Sequence, residues 1–354
     1  MRPVGFKPAG RTDCKSMFRC LSVIPGEVKN LAALPLTGNT GCLDYAGHDD
    51  MQVFAPAKIN LSLKILGRRN DGFHEIETLI VPITVYDEIK INPKKSGEGI
   101  EFRCEDPSVP KGNDNLVVRA ATLFFETTSL TPAVSIQLKK KIPHGAGLGG
   151  GSSDAATTLL ALNQLFEANL TRDELARLGS IIGSDVPFFI AESVAICRGR
   201  GELVTPIQLS ERLSILLLKP EFGVPTQWAY SRWQDSLEIP GVSYAARQLA
   251  GQTFFNDLER PVFEKFVFLA HLKMWLLSQS EVGAAMMSGS GSTVFAVMLP
   301  GVDVDLVAKR ARAELDPELW TCACEALWPP PAPAITRLRL AERSHARIRD
   351  LIVR

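Results

Sequence analysis

The sequence predicts an α+β protein of two domains, and three observations carry that expectation. The chain has 354 residues, which at roughly 150 residues per domain is enough for two cores. From Met51 onward, strand-like alternation and helix-like spacing follow one another. A second such series opens at Leu213-Ser-Ile-Leu-Leu-Leu218, a run that reads as a buried strand just after Pro206. The expected organisation is therefore a leader outside the fold (1–50), a first domain (51–205), a second domain (206–328) and a Pro-rich, basic tail (329–354).

In the first domain, Ile59, Leu61, Leu63 and Ile65 alternate with Asn60, Ser62 and Lys64, so 54–65 is a half-buried strand with Lys58 and Asn60 on its polar face. Gly67-Arg-Arg-Asn-Asp-Gly72 is a turn, and 77–82 and 87–92 are two further short strands. Apolar residues at helical spacing (Leu116, Ala120, Leu123, Phe124) predict a helix over 115–127, and Val134 to Lys139 alternates again. An Ala- and Leu-rich helix is expected over 152–166, and another from Thr171, an N-cap with Glu174 three residues on. In the second domain, helices are expected over 261–279 and 302–315, with a strand over 293–299. The tail begins Pro329-Pro-Pro331 and carries six arginines against two acids; it reads as a solvated segment or a helix packing Ile335, Leu338, Ile348 and Leu351.

Composition excludes several classes. Lys+Arg and Asp+Glu are both 39, and hydrophobic residues make up 45%, so neither disorder nor a polyanion-binding surface is indicated and nucleic acid is not an expected partner. Seven cysteines (14, 20, 42, 104, 197, 322, 324) are odd in number, scattered, and never form Cys-x-x-Cys, which disfavours a disulfide framework or a zinc site and favours the cytoplasm. The longest uncharged stretch, 282–302, is broken by Ser288-Gly-Ser-Gly-Ser292, so no membrane contact is expected. The leader's first 26 residues hold five basic residues and one acid, Asp13, without the apolar core of a secretory signal. Three readings fit it: a translation start set too far upstream, which is preferred, an organelle-targeting peptide, or a disordered extension.

The sharpest feature is Pro143-His-Gly145-Ala-Gly147-Leu148-Gly149-Gly150-Gly151-Ser152-Ser153, with five glycines in seven residues leading straight into a helix. Glycine permits positive φ and leaves amides uncovered, and a helix start adds orphan donors and partial positive charge. Such a loop holds phosphate. A mobile linker would seldom end in two hydroxyl residues and a strong helix. The loop also fits G-x-G-x-x-G, but a dinucleotide fold needs a doubly buried strand running into its first glycine, and here polar residues alternate and Pro143 intervenes. No Gly-Lys-Ser/Thr occurs, which excludes a Walker-type site.

Pro143-x3-Gly147-Leu-Gly149-x-Gly-Ser152-Ser153 resembles the signature of the GHMP kinases, as do the early Pro56-Ala-Lys58-Ile-Asn60-Leu and the late Met287-Ser288-Gly289-Ser290-Gly291-Ser292-Thr293. Lys58-Ile-Asn60-Leu, the stretch from Gly67 to Thr78, Asn113-Asp-Asn115-Leu and Ile182-Gly-Ser-Asp185-Val-Pro-Phe-Phe189 are similar to one branch of that family. That branch phosphorylates a cytidine-diphosphate-linked polyol in non-mevalonate isoprenoid synthesis. The resemblance spans roughly 53–299. It implies a two-domain GHMP kinase fold with the active site in the interdomain cleft, ATP and Mg²⁺ as cofactors, a small-molecule substrate, and a monomer or weak homodimer.

The resemblance also implies roles. Asp185 would accept a hydrogen bond from the substrate hydroxyl, with Lys58 beside it; a surface ion pair is the plainer alternative. A free aspartic acid near 4 and an alcohol near 16 differ by about 12 in pKa, about 16 kcal/mol, so Asp185 would orient the hydroxyl and take its proton late. That suits a loose phosphoryl-transfer transition state. Pro143, Gly145, Gly147, Leu148, Gly149, Gly150, Gly151, Ser152 and Ser153 would cradle ATP phosphates, with Ser153 a candidate ligand of Mg²⁺. Asn115 would be an adenine-side contact or, equally, a helix N-cap. Asn60 would contact the substrate, Phe73 and Tyr230 would stack on cytosine, and His74 would bond its edge. Thr226 would contact the substrate, and the loop bearing Ser288, Gly289 and Gly291 would approach the substrate diphosphate end or brace the glycine loop, although 288–293 also fits a plain tight turn. A sister kinase of homoserine or mevalonate, or a silent binding member of the fold, are the competing readings. A chain starting at Met51 is expected to retain its activity; its failure to fold or turn over substrate would return the leader to the functional protein.

Overall fold

A computed structural model describes residues 50–94, 97–326 and 336–338. The chain divides into two units, Met1–Asp44 and Tyr45–Arg354, and every described residue belongs to the second. The expected leader, apart from Asp50, and most of the tail lie outside the described residues.

The polar/apolar alternation noted from Phe54 extends in both directions, giving β1 (Asp50–Arg68). Its antiparallel partner β2 (His74–Pro93) is one strand of 20 residues rather than two short ones. Pro82, which reads as a strand end, sits where the outer edge of β2 changes partners, a place where a residue lacking an N–H is tolerated. The β1–β2 ladder shifts register at Pro56/Ala57, Asn60/Ser62 and Ile65/Gly67. These irregularities flank Lys58 and Asn60, and bulges re-aim side chains.

β3 (Gly99–Cys104) runs parallel to β4 (Ala133–Lys139), with α1 (Leu116–Thr128) between them. The glycine loop leads into α2 (Gly150–Leu165), so the glycines themselves form the first turn. α3 (Arg172–Ile182) begins with the expected capping box, Thr171 and Glu174 each bonding the other's backbone N–H. α4 (Val186–Ala191), β5 (Ala195–Gly199) and β6 (Leu203–Pro206) complete this half; the sequence pattern anticipates none of the three.

Beyond Pro206 come β7 (Leu213–Lys219), α5 (Thr226–Ser231), β8 (Arg247–Leu249) and β9 (Gln252–Asn256). The helix expected over 261–279 is two, α6 (Glu259–Lys265) and α7 (Val267–Ser278). The break falls at Phe266, whose ring stacks on Phe222 at 5.6 Å and meets Trp228 edge-on at 5.5 Å. Burying that aromatic contact outweighs continuity of the helix. β10 (Val282–Met287), β11 (Val294–Met298), α8 (Val304–Glu314) and β12 (Trp320–Ala326) follow. β10 reads Val-Gly-Ala-Ala-Met-Met, poor in strand formers, yet all six residues are buried, so packing decides its conformation. Within the expected tail, β13 (Thr336–Leu338) is a strand paired with Asp50–Gln52, not part of a helix.

The strands join in one mixed sheet with the path β10-β11-β7-β12-β2-β1-β9-β8, and helices pack on it, giving the expected α+β class. One core cluster draws only on residues from Met51 to Cys197. A second draws mainly on Leu216 to Leu319, and a third mixes both halves. On that basis we propose 51–205 and 206–328 as two domains, each with a core of its own, joined by the shared sheet and the third core.

Phe124 lies fully buried in the first core and meets Phe125 edge-on at 5.4 Å. Phe124→Ala should cost about 3–5 kcal/mol, read as a lower denaturant midpoint with an unchanged slope.

Candidate active site

Lys58 and Leu148 join the two halves of the site through the backbone: Lys58 N–H donates to the Leu148 carbonyl at 2.9 Å. This bond holds the first strand against the glycine loop. At Gly149, with φ +69°, a Cβ would lie 2.9 Å from Lys58 Cγ and 3.0 Å from Phe189, so only glycine lets the lysine stem pass.

The Lys58 side chain is 4% exposed, which removes the surface ion pair from consideration. Its Nζ donates to Asn60 Oδ1 at 2.7 Å, Asn60 Nδ2 donates to Thr78 Oγ1 at 2.8 Å, and the Thr78 hydroxyl donates to the Ser62 carbonyl at 2.6 Å. The relay crosses the β1–β2 pair and fixes the ammonium. Asp185 Oδ2 stands 3.6 Å from Lys58 Nζ, beyond hydrogen-bond reach, and its side chain is 34% exposed. Asp185 precedes α4 without making a side-chain cap bond, so its oxygens are left for a ligand.

A cavity of about 1170 Å³ connects these groups. Lys58, Asn60, Phe73, His74, Asn115, Pro143, Gly145, Gly147 to Ser152, Asp185, Thr226, Tyr230 and Gly289 line it. Three expected contacts lie behind the lining. Ser153 is fully buried, and its Oγ has no partner among the described residues. Ser288 donates from Oγ to the Gly147 carbonyl at 3.0 Å, and a Cβ on Gly291 would meet the Met287 sulfur. Asn115 is the N-cap the sequence allowed, its Oδ1 accepting from Val117 N–H at 2.8 Å, and it also lines the cavity. α2 has no side-chain cap and no acid in its first turn, which leaves its first amides open to an anion.

At the aromatic end, Phe73 is 49% exposed with the Arg200 guanidinium 4.8 Å from its ring centre. Tyr230 packs against His74 at 5.3 Å, and Trp233 meets His74 edge-on at 6.2 Å. Burial and the Arg68 charge hold His74 below the ordinary imidazole range, so it presents one donor and one acceptor nitrogen at neutral pH. Burial, with the Asp185 charge adding to it, raises the Tyr230 phenol and keeps it protonated.

Sequence reasoning missed a buried charge cluster at the base of the loop. Lys140 Nζ donates to Asp87 Oδ2 and, at 2.8 Å, to Asp154 Oδ2. Asp87 Oδ1 accepts from the Lys141 and Ile142 amides at 2.6 and 2.9 Å, anchoring the start of the loop. Lys140 and Lys141 stand out in the sequence only as part of a polar stretch before the loop, and no local pattern ties Lys140 to an acid 53 residues away. Burial, with Asp87 adding to it and Lys140 opposing, pushes Asp154 up to about 7. Burial alone would lower Lys140, but the two carboxylates outweigh it and raise it.

Residues 115–193 match the family described as GHMP kinases N terminal domain. A 4-diphosphocytidyl-2-C-methyl-D-erythritol kinase from Methylacidiphilum infernorum (isolate V4) is 43% identical over 272 residues, 75% of this chain and 93% of that protein. The chain belongs to the 4-diphosphocytidyl-2-C-methyl-D-erythritol kinase family. A crystal structure titled 4-(cytidine 5'-diphospho)-2C-methyl-D-erythritol kinase superposes with a TM-score of 0.63 at 35% identity, covering 77% of this chain and 98% of that one. A homoserine kinase from Cytophaga hutchinsonii superposes at 0.58 with 17% identity, covering 79% and 95%, and shares the GHMP kinase fold. Among the described residues, no helix is long and apolar enough to cross a membrane.

The carboxyl of Asp154 titrates above its unfolded range, so its contribution to stability is full below about pH 4 and is lost as pH rises through about 7. Asp154→Asn removes that titration and otherwise shifts stability by an offset that does not titrate with Asp154. The Tm of the parent minus that of the variant should therefore shrink from pH 5 to pH 8; a constant difference across that window would refute the assignment.

Proposed function

We propose that this chain transfers the γ-phosphoryl group of ATP to the 2-hydroxyl of 4-diphosphocytidyl-2-C-methyl-D-erythritol, giving the 2-phosphate and ADP. The product feeds the methylerythritol phosphate route to isoprenoid precursors. The observation that carries this reading is one cavity shared by the Lys58–Asp185 pair, a glycine loop on an uncapped helix start, and an aromatic pocket with a neutral imidazole.

In this reading the amides of Gly149 to Ser152 bind the ATP phosphates, and Asn115 lies on the adenine side. The cytosine ring enters between Phe73 and Tyr230, which make no ring contact with each other, and His74 matches its edge with one donor and one acceptor. Asp185 accepts the hydrogen bond of the substrate hydroxyl and takes its proton as the new O–P bond forms. Lys58, held by Asn60, neutralises charge growing on the transferred group.

Mg²⁺ fits this site as a companion of the nucleotide. No group of three acidic, His or Cys ligands capable of holding a metal occurs among the described residues, and Mg²⁺ commonly uses phosphate oxygens, waters and few protein oxygens. Ser152, Asp185 and the unpartnered Asp154 Oδ1 are oxygens on the lining beside the loop, and the unpartnered Ser153 Oγ lies buried behind it. The ion would offset phosphate charge. Cys104, Cys197, Cys322 and Cys324 are unpaired, which supports a reducing compartment such as the cytoplasm.

A coupled assay of ADP release with Mg²⁺ should show turnover on the cytidylated acceptor and none on homoserine or mevalonate. Asp185→Ala should lower kcat by about 10²–10⁴-fold; undiminished turnover in that variant would remove Asp185 from the reaction. Phe73→Ala should raise the acceptor KM by about 5- to 150-fold, the equivalent of one lost stacking contact, and leave the ATP KM unchanged.

A further inference from the structure

Asn256 at the end of β9 lies outside the cavity lining, yet it holds a loop that forms part of it. The side chain is 6% exposed and fully engaged. Nδ2 donates to the Met287 carbonyl at 2.8 Å and to the Gly289 carbonyl at 2.7 Å, while Oδ1 accepts from Leu258 N–H at 2.9 Å. Its neighbour Asp257 grips β1: Asp257 N–H donates to the Leu63 carbonyl at 3.0 Å, and its Oδ2 accepts from Ile65 N–H at 2.7 Å. One turn thus fastens the strand that carries Lys58 to the loop that faces it.

The far side of that loop is pressed into the site. Gly289 adopts φ +55°, and a Cβ there would stand 3.2 Å from Asn60 Oδ1 and 3.3 Å from Lys58 Nζ. Ser288 Oγ donates to the Gly147 carbonyl, and Thr293 N–H donates to the Ala146 carbonyl at 3.1 Å. A shift of Gly289 would therefore move a wall of the Lys58 ammonium and the brace of the glycine loop together. Both donors on Asn256 are needed, because the two carbonyls flank Ser288 and one bond alone would leave the segment free to pivot.

We propose that Asn256 is a positioning residue, whose amide sets the approach of Gly289 to Lys58 and through Ser288 the seating of the glycine loop. The inference rests on the proposed role of Lys58 in phosphoryl transfer. It predicts a loss in the chemical step more than in acceptor binding, because the cytosine pocket of Phe73, His74 and Tyr230 makes no contact with Asn256.

The test uses Asn256→Asp, which keeps the size and the Leu258 bond but replaces both donors with a carboxylate facing two carbonyl oxygens. The expected result is a kcat at least tenfold lower in folded enzyme, with the acceptor KM within threefold of the parent. Activity should partly recover as pH falls, since a protonated carboxyl regains one donor. Asn256→Ser, with one hydroxyl donor, carries the same test if the aspartate variant does not fold, and should fall between the two. Phe263→Leu, in the same buried core as Leu258, is the control that lowers Tm without changing kcat. A kcat within twofold of the parent in the Asn256 variants, with Tm lowered as in the control, would overturn the proposal. If the parent itself does not turn over the cytidylated acceptor, the functional reading fails separately. ATP affinity, measured by calorimetry, then decides: at least fivefold weaker binding in Asn256→Asp supports the brace, and unchanged binding refutes it.

Discussion

The site depends on two loops meeting backbone to backbone. A Cβ on Gly147 would overlap the Ser288 carbonyl oxygen and come within 2.9 Å of the Gly291 carbonyl oxygen, so the glycine loop and the 288–293 loop interlock only because no side chain stands between them. The glycines thus serve two purposes. They leave amides uncovered on one side, where a phosphate is proposed to bind, and admit a second loop on the other. The second contact gives the first its precision, since an anion site made of a loop alone would have to be ordered by its ligand and would lose affinity to that ordering.

Charge is distributed around this junction in two different ways. Lys58 bonds Asn60 and stops short of Asp185, so neither end of the pair is consumed by the other. The ammonium stays aimed by a neutral relay and the carboxylate stays available to a hydroxyl. Beneath the loop the opposite holds, with Asp87, Lys140 and Asp154 buried together. Two acids and one base would leave an excess negative charge under the glycine loop, an expensive arrangement for burial and for the proposed binding of phosphate. The elevated titration of Asp154 relieves it, because the protonated cluster is neutral while Asp87 still anchors the Lys141 and Ile142 amides.

What the sequence revealed depends on which interactions are local. The β1 alternation, the Thr171 capping box and the loop-to-helix transition are encoded within a few residues, and each appears in the structure at the expected place. The Lys58, Asn60 and Asp185 constellation is legible only through resemblance, since 125 or more residues separate Asp185 from the other two. Pro82 misleads because its effect depends on the sheet edge on which it lies. Phe266 misleads because helix continuity is overruled by Phe222 and Trp228. Lys140 and Asn256 are invisible for the same reason: the partners that matter lie far along the chain, and nothing in the local pattern distinguishes a buried lysine from a solvated one.

These long-range contacts also explain how one sheet can hold a site made from both halves of the chain. β1 carries Lys58 and Asn60 from the first half, and β9 lies parallel to it at Ser62↔Phe255 and Leu63↔Asn256. Through that short pairing, the second half reaches the strand that bears the ammonium. The 288–293 loop then returns across it to the glycine loop. The ends of a cavity this large could drift relative to one another if each belonged to its own domain. A shared strand ladder resists such drift at the reacting centre, where misplacement by about 1 Å can cost about a hundredfold in rate. The aromatic pocket of Phe73, His74 and Tyr230, built on the β1–β2 turn and α5, lies outside that bracing.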